Sequence, residues 1–563
     1  MQPHHAFDTR PATATSRPRD LLAVLLFPLV LLAPLVAAAD DDDLGVFAPL
    51  GSIPAEVDAA AVFDNPAESI LLSPVGRSMR ALLASVGIFT QTERAWQSLA
   101  GAFDAPVDDT ILGLLSKRVI VVWDGFELAD PSVQGLTDSI DSRWALSCEV
   151  QPAYLDTIRS AMRPVKRDIV HGRAVYAIEQ GRYRVALLDA PRPDAPAIVL
   201  LSPRSGAELL HAVLASIVGR DAKDAPLPTI TAGHEPMLRE LNTHHALDSD
   251  ARYAFAMIAR TPIFRALINQ PVEPDQRADH TLAAIVTLDR RTLRCHFVSD
   301  LPVPDTLPDA PVELYEASSP DAIFALASAR APGLMIRQSG MHLGLSATDL
   351  TRDPDTPGLF DAPALLVMQP SGPSGDYALS SVLVQTHRDP GQTARLADEA
   401  MHSMIAGYDP DQAPDFGGRL PDAIRSVALH PRDRSTPPSG SSWLGSAPRL
   451  AWISTHGSDS DLFIASMTPA TADPAVTLRM LEDAARSLNA LGDRPRSGVL
   501  LRAMIRPGHM LKALSDPSLT DLALAKLVRR LELDIRRGVD ASLRGEMKIR
   551  FANDPSGANL GSE

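Results

Sequence analysis

The chain has 563 residues, 45% of them hydrophobic, which is enough to bury the cores of more than one domain. Its formal net charge of −16 argues against binding to nucleic acid, because a protein that neutralises phosphates needs a basic surface. The 48 prolines favour strands and loops over long uninterrupted helices and argue against a coiled coil.

The N-terminal segment is typical of a secretory signal peptide. Arginines precede an apolar run at residues 21–36, which ends in Ala37-Ala38-Ala39, a small-residue cleavage pattern. The run is shorter than the roughly 20 residues that a membrane-spanning helix requires, and it contains two prolines. We therefore expect residues 1–39 to be a signal peptide and the protein to be periplasmic or extracellular. The alternative is an uncleaved N-terminal anchor.

Helices and strands alternate through the first half of the chain. Apolar residues at helical spacing predict a helix at residues 75–86, and a capping box at 90–93 opens the next one. The runs 175–178 and 182–187, separated by Gln180-Gly181, predict a hairpin. An apolar strand at 197–201 then precedes a helical stripe at 210–217 that is capped by Gly219.

The second half repeats this scheme. A strand at 462–465 precedes a helical stripe at 478–488. Each half ends with a predicted strand in which apolar residues occur at alternate positions, at 293–297 and at 543–551. Runs of hairpins favour an antiparallel sheet with helices packed on one face. We therefore predict an α+β fold of this kind.

Three pairs of segments point to an internal duplication. They occur in the same order along the chain at a spacing of about 250 residues, which is the signature of a repeated unit. The pairs are Ser52-Ile53-Pro54 with Thr306-Leu307-Pro308, Trp144-Ala145-Leu146-Ser147 with Tyr377-Ala378-Leu379-Ser380, and Ala256-Met257-Ile258 with Ala503-Met504-Ile505.

The predicted domain organisation follows from this duplication. We expect two similar units at residues 40–303 and 304–551, each a mainly antiparallel sheet with helices on one face. A proline-rich stretch at 302–311 marks their boundary, and residues 552–563 form a disordered tail.

A family resemblance rests on loose apolar motifs. The apolar N-terminal run, the opening Ile53-Pro54-Ala55, the strand-then-helix at 198–214 and the terminal strand at 543–551 resemble large exported bacterial proteins that are grouped only as a domain of unknown function. The resemblance implies an exported location and a two-copy architecture. It implies no catalytic residues.

Compact catalytic motifs are absent from the sequence: there is no dinucleotide-binding GxGxxG after a strand, no phosphate-binding loop, no nucleophile elbow and no HExxH. We therefore predict no cofactor and assign no catalytic residues. Dispersed catalytic residues are not excluded by this test, because a triad need not be adjacent in sequence.

The best candidate ligands for a metal are His244 and Asp248, which lie in a predicted loop with His245 and Asp250. Imidazole and carboxylate groups together bind divalent cations. The alternative is that they are ordinary polar loop residues, since adjacent histidines point apart on a regular backbone.

Two cysteines, Cys148 and Cys295, allow one disulfide, but each lies in an apolar strand-like segment where a buried free thiol is equally at home. We expect them to lie apart. His296 follows Cys295, and strand alternation places the two side chains on opposite faces.

The function that follows from the sequence is general. We expect a non-catalytic binding or structural module of the cell envelope, with an envelope component or a small ligand between the two units as its partner. The alternative is an exported hydrolase with dispersed catalytic residues, with or without a metal ion.

Overall fold

A computed structural model describes the chain in segments between residues 44 and 552. The described residues are 44–63, 65–67, 73–78, 96–97, 100–101, 104–124, 143–150, 152–161, 167–170, 173–180, 183–190, 196–219, 228–247, 252–260, 280–289, 291–301, 303, 307, 309–312, 322–329, 363–370, 379–387, 408–411, 425–431, 449–456, 461–468, 498–511, 525–538 and 542–552.

Helices are a minority of the described structure. Two 3₁₀ helices span Gly45–Ser52 and Arg204–Gly206. The α-helices are α1 (Val107–Leu115), α2 (Pro152–Ala161), α3 (Ala207–Gly219), α4 (Glu235–Leu247) and α5 (Pro507–Leu511). Within the described ranges, none is both long enough and apolar enough to cross a membrane.

Strands make up most of the described structure. They are β1 (Ala59–Phe63), β2 (Val119–Trp123), β3 (Trp144–Val150), β4 (Arg167–Val170), β5 (Arg173–Gln180), β6 (Tyr183–Leu188), β7 (Ala197–Pro203), β8 (Arg252–Arg260), β9 (Thr281–Asp289), β10 (Thr292–Ser299), β11 (Phe324–Ser328), β12 (Ala364–Pro370), β13 (Leu379–His387), β14 (Tyr408–Asp411), β15 (Arg425–Pro431), β16 (Arg449–His456), β17 (Asp461–Thr468), β18 (Val499–Ile505), β19 (Val528–Arg537) and β20 (Leu543–Phe551).

These strands form one large antiparallel sheet. From one edge, the order is β4-β5-β6-β7-β3-β2-β1-β8-β9-β10, and it continues as β20-β19-β18-β11-β12-β13-β17-β16-β15-β14. The first series comes from residues before 300 and the second from residues after 320. Pairing of β10 with β20 therefore joins the two halves of the chain.

Both faces of the central strands in the first half of the sheet are buried, as β1 shows. On β1, the side chains of Ala59, Ala61 and Phe63 belong to one apolar cluster, whereas those of Ala60 and Val62 belong to the other. Successive side chains point to opposite faces of a strand, so the two clusters lie on opposite sides of the sheet.

Helices cover both of these faces. Leu114 of α1 and Ile158 of α2 pack in the first cluster, and Val213 of α3 and Leu238 of α4 pack in the second. For the first half of the chain, the prediction of helices on one face is therefore wrong, whereas the mainly antiparallel sheet is confirmed. Because both faces of β1 are buried, its sequence Ala-Ala-Ala-Val-Phe is apolar throughout and does not alternate apolar with polar residues.

Several predicted elements are confirmed. The hairpin around Gln180-Gly181 is the β5–β6 pair, and the stripe capped by Gly219 is α3, directly downstream of β7. Residues 256–258 and 503–505 both lie in strands, β8 and β18. Residues 75–78 of the predicted helix at 75–86 are helical; the rest of that segment, the capping box at 90–93, the stripe at 478–488 and residues 553–563 of the predicted tail lie outside the described residues.

The two faces of the β10–β20 junction differ in polarity. Cys295, Met547 and Ile549 face the first apolar cluster. On the other face, His296 lies opposite Glu546, with Nε2 and Oε1 3.8 Å apart, and Lys548 Nζ lies 2.9 Å from the same Oε1. The charged face continues onto β19.

Asp534 on β19 is the centre of an ion-pair network on this charged face. Arg502 Nε donates to its Oδ2 at 2.8 Å, and Arg536 Nε donates to its Oδ1 at 2.7 Å. Burial raises the pKa of Asp534, but hydrogen bonds from Arg536 and Arg502 outweigh this effect and hold the pKa below its ordinary value of 3.8.

We predict that Asp534→Asn lowers the free energy of unfolding at pH 7 by about 1–3 kcal/mol, because the amide carries no negative charge and keeps only one oxygen that can accept from Arg502 or Arg536. A depressed folded-state pKa contributes stability above the unfolded-state pKa, and this contribution disappears as the pH falls through the folded-state value. Chemical denaturation should therefore show a larger difference between variant and wild type at pH 7 than at pH 2.5. Asp156→Asn is the control, since its carboxylate is 82% exposed. An equal difference at both pH values would contradict this account.

Candidate anion-binding cleft

A basic cleft lies where four neighbouring strands end. It has a volume of about 760 Å³ and is lined by residues of the β9–β10 turn, α5, the start of β19 and the end of β20. Its described lining residues include five arginines and a histidine but no aspartate or glutamate: Arg291, Arg506, His509, Arg529, Arg530 and Arg550. This local excess of positive charge contrasts with the net charge of −16 of the whole chain.

A β-bulge turns two consecutive arginines into the cleft. The pairing of β19 with β20 shifts register between Val528 and Arg530, so that Arg529 is the extra residue on β19. In a regular strand, Arg529 and Arg530 would point to opposite faces, but at a bulge both line the cleft. Bulges of this kind often re-aim a side chain next to a binding site.

Like charges face each other across the adjacent strands. Arg530 lies directly opposite Arg550 in the β19–β20 register, and Thr292 of β10 lies on the other side of Arg550. Like charges directly opposite each other destabilise a sheet. Glu532 offsets part of this repulsion, since its carboxylate oxygens lie 2.7 Å from Arg530 Nη2 and 3.7 Å from Arg550 Nη2.

Arg529, Arg530 and Arg550 form a row of arginines along the cleft, and one hydrogen-bond donor in this arginine row has no partner among the described residues. The Nε of Arg530 is buried and makes no hydrogen bond there. A buried donor without a partner costs free energy, so a ligand oxygen that accepted from it would remove this cost. Guanidinium groups bind carboxylate and phosphate through paired N–H donors. The cleft is therefore chemically suited to an oxyanion.

Part of the cleft lining is apolar and belongs to hydrogen-bonded strand ends. Val528 and Phe551 line the cleft and are 1% and 3% exposed. Backbone hydrogen bonds tie the strand ends around them, from Phe551 N to Arg291 O and from Ala552 N to Leu527 O. Arg530 and Arg550 extend from paired strands, so the backbone positions from which they start are set by the sheet.

The sequence-predicted metal ligands are not brought into this cleft. His244 lies within α4, so the prediction that it belongs to a loop is wrong; its neighbours Glu235 to Leu247 include good helix formers that continue the helix through it. Its side chain and the whole of Asp248 lie outside the described part, and their metal binding stays a prediction. Among the described residues, no group of three or more His, Cys, Asp or Glu side chains has an arrangement that suits a metal ion.

Another histidine from the same sequence region has a described environment. His234 Nδ1 lies 3.9 Å from Asp300 Oδ2, and His280 Nδ1 lies 3.7 Å from Asp300 Oδ1. The carboxylate of Asp300 also accepts from the backbone N–H of Thr281. These contacts tie the start of α4 to the start of β9 and the end of β10, and they give His234 a structural role.

Both cysteines are buried and free, as predicted. Cys148 on β3 and Cys295 on β10 are separated by β2, β1, β8 and β9, which at about 4.8 Å per strand places them far beyond disulfide reach. Burial raises the pKa of Cys295 to about 12, and that of Cys148 further. Neither thiol is available as a nucleophile near neutral pH. Cys295 and His296 point to opposite faces, as predicted.

Sequence reasoning missed the arginine cluster. The doublet Arg529-Arg530 was visible, but a doublet on a regular strand divides between the two faces, and only the bulge directs both side chains into one cleft. The remaining arginines come from segments more than 200 residues apart, since Arg291 belongs to the first half of the chain and Arg506 to the second.

Comparison with known proteins adds no family. Neither a family model nor a curated protein matches the chain. Among solved structures, crystal form III of TP0453 matches with 12% identity and a TM-score of 0.24, covering 48% of this chain and 84% of that one. Crystal form I of TP0453 gives 12% identity and a TM-score of 0.23, covering 45% and 78%. At these TM-scores the likeness carries no argument about fold or function.

Proposed function

We propose that this chain is an exported, non-catalytic binding protein of the bacterial cell envelope, and that it holds an anionic ligand in the basic cleft. The observation that carries the proposal is the row formed by Arg530, Arg550 and the bulged Arg529. Positive charges are concentrated there on a sheet of an acidic protein, against their mutual repulsion.

The proposal includes two similar α+β units, at residues 40–303 and 304–551. The strand order supports this part: adding ten to each strand number in the series from β4 to β10 reproduces the series from β14 to β20. On this reading, β10 and β20 are equivalent strands that pair with each other. The cleft then lies between the units, because Arg291 and Thr292 come from the first and its other basic residues from the second.

Export rests on the N-terminal segment, whose apolar run and Ala37-Ala38-Ala39 ending suit a signal peptidase. A binding role suits the cleft because its groups bind an oxyanion and none of its described lining residues carries a carboxylate or a thiol for catalysis. The hydrolase alternative stays a prediction, because its candidate residues His244 and Asp248 have no described side chains.

We predict that multivalent oxyanions raise the melting temperature of the full chain, because a ligand that binds only the folded state stabilises it. Sulfate, phosphate and pyrophosphate would be compared with chloride at constant ionic strength by scanning calorimetry. At about 100 times the dissociation constant, the stabilisation is about 2.7 kcal/mol, which corresponds to a shift of several degrees.

Arg529→Glu should abolish this shift, since it places a carboxylate in the cleft at an exposed position that packs little. Arg204→Glu is the matched control, because Arg204 is also exposed but lies in a 3₁₀ helix of the first half of the chain. The proposal fails if Arg529→Glu responds to the anions as the wild type does.

A further inference from the structure

The cleft's charge balance and volume define a ligand class more narrowly than "anion". We infer that the cleft binds a phosphate monoester carried on a weakly polar organic body, an inference that rests on the proposed function. Two observations support it independently: the unbalanced charge of the arginine row, and the size and composition of the remaining cleft.

The charge balance favours a dianion. Arg529, Arg530 and Arg550 contribute three positive charges, and Glu532 is the described carboxylate that contacts this row, with ion pairs to Arg530 and Arg550. Counted over the described residues, the row therefore retains two uncompensated charges. A phosphate monoester carries close to two negative charges above its second pKa of about 6, whereas a carboxylate or a phosphodiester carries one.

The geometry of the row also suits a phosphoryl group. Residues directly opposite each other on paired strands have Cα atoms roughly 4.5–5.5 Å apart, so the guanidinium groups of Arg530 and Arg550 start from neighbouring positions. The bulged Arg529 precedes Arg530 on β19 and also lines the cleft, and Arg530 Nε has an unused N–H among the described residues. Three guanidinium groups lining one cleft can supply several N–H donors to the acceptor oxygens of a phosphoryl group.

The volume of the cleft exceeds what a phosphoryl group alone would fill. Water occupies about 30 Å³ in the liquid, so a single inorganic anion fills only a small part of a cleft of about 760 Å³. Pockets for small organic ligands have volumes of roughly 300–1,000 Å³. The rest of the lining is small or apolar, namely Thr292, Gly508, Ala525, Val528, Phe551 and Ala552. This surface fits an organic body with few polar groups.

The test is calorimetric titration of the full chain with phenyl phosphate, methyl phenyl phosphate and inorganic phosphate. We expect phenyl phosphate to bind at least about tenfold more tightly than the diester, which has the same ring but one charge fewer, because a charge-assisted contact is lost. We also expect it to bind at least about tenfold more tightly than inorganic phosphate, which lacks the ring. Equal affinity in either comparison would overturn the inference.

Substitutions at Arg529 and Arg204 test whether phenyl phosphate binds in the cleft. Arg529→Ala should weaken phenyl phosphate binding about tenfold, and Arg204→Ala should leave it unchanged. Equal binding by wild type and Arg529→Ala would also overturn the inference, and circular dichroism establishes that both variants are folded.

The outcomes separate this inference from the proposed function. If sulfate or pyrophosphate raises the melting temperature through Arg529 but phenyl phosphate has no advantage, the ligand class is wrong and the anion site stands. If no anion acts through Arg529, both are wrong. Glucose 6-phosphate binding as tightly as phenyl phosphate would contradict the weakly polar body.

Discussion

Phe63→Ala should lower the free energy of unfolding by about 3–5 kcal/mol, the cost of removing a large aromatic side chain from a closely packed core. Phe63 is 1% exposed and lies on β1, between β2 and β8 in the centre of the first half of the sheet. Its ring centroid lies 5.3 Å from that of Phe255, which is its cross-strand neighbour. The alanine variant loses both the buried area and this aromatic pair.

Urea denaturation would measure the effect, and Leu112→Ala is the control. Leu112 lies on α1 but is 45% exposed, so its truncation removes little buried surface. A loss below about 1 kcal/mol for Phe63→Ala would show that β1 is not a central strand of the core.

Gly545→Ala should destabilise the protein by about 3 kcal/mol, at the upper end of the usual cost of overpacking. A Cβ atom at Gly545 would lie 2.5 Å from the backbone oxygen of Asp534 and would also meet the ring of Phe297. The ring can rotate away, but the carbonyl oxygen belongs to the neighbouring strand β19 and cannot move without breaking the ladder. Glycine weakens a strand, so its presence in β20 marks this close approach.

Thermal unfolding would test this prediction against Gly101→Ala, where no atom lies within 4 Å of the added Cβ. Alanine reduces the entropy of the unfolded chain, so Gly101→Ala should be neutral or slightly stabilising. Because Phe297 comes from β10 and Gly545 from β20, Gly545→Ala tests the junction between the two halves of the chain. If Gly545→Ala left the stability unchanged, the close contacts of Gly545 with Phe297 and with the backbone of Asp534 would be wrong, and so would this arrangement of β10, β20 and β19.

Local patterns in the sequence predicted local structure well. The stripe ending at Gly219 became α3, and the runs flanking Gln180-Gly181 became the β5–β6 hairpin, because periodicity and turn chemistry act within a few residues. The alternating segment at 543–551 became β20 with its apolar residues in the core. In each case, near neighbours along the chain determine the conformation.

Long-range features were not predictable in this way. Helices cover both faces of the first half of the sheet, although antiparallel sheets more often expose one face. The sequence feature that indicates this is an unbroken apolar run such as Ala59–Phe63, in which every residue is buried. The cleft depends on the pairing of Thr292 with Arg550 and on a bulge at Arg529. No periodicity within either segment indicates which distant strand will be its partner.

The basic cleft changes the interpretation of the chain's charge. The net charge of −16 favours solubility and repels polyanions over most of the surface. A local group of arginines on such a protein attracts small anions only over short distances, because charges are screened beyond about 10 Å at 0.1 M ionic strength. A small ligand suits this arrangement better than a nucleic acid, which contacts an extended basic surface.

The most direct measurement of the central claim is chemical protection of Arg529. Phenylglyoxal modifies accessible guanidinium groups, and peptide mass spectrometry would follow the rate at Arg529 and at Arg204 with and without saturating pyrophosphate. The account predicts that pyrophosphate slows modification of Arg529 several-fold and leaves Arg204 unchanged, because both side chains are exposed but only Arg529 lines the cleft. Modification of Arg529 at the same rate under both conditions would contradict the account.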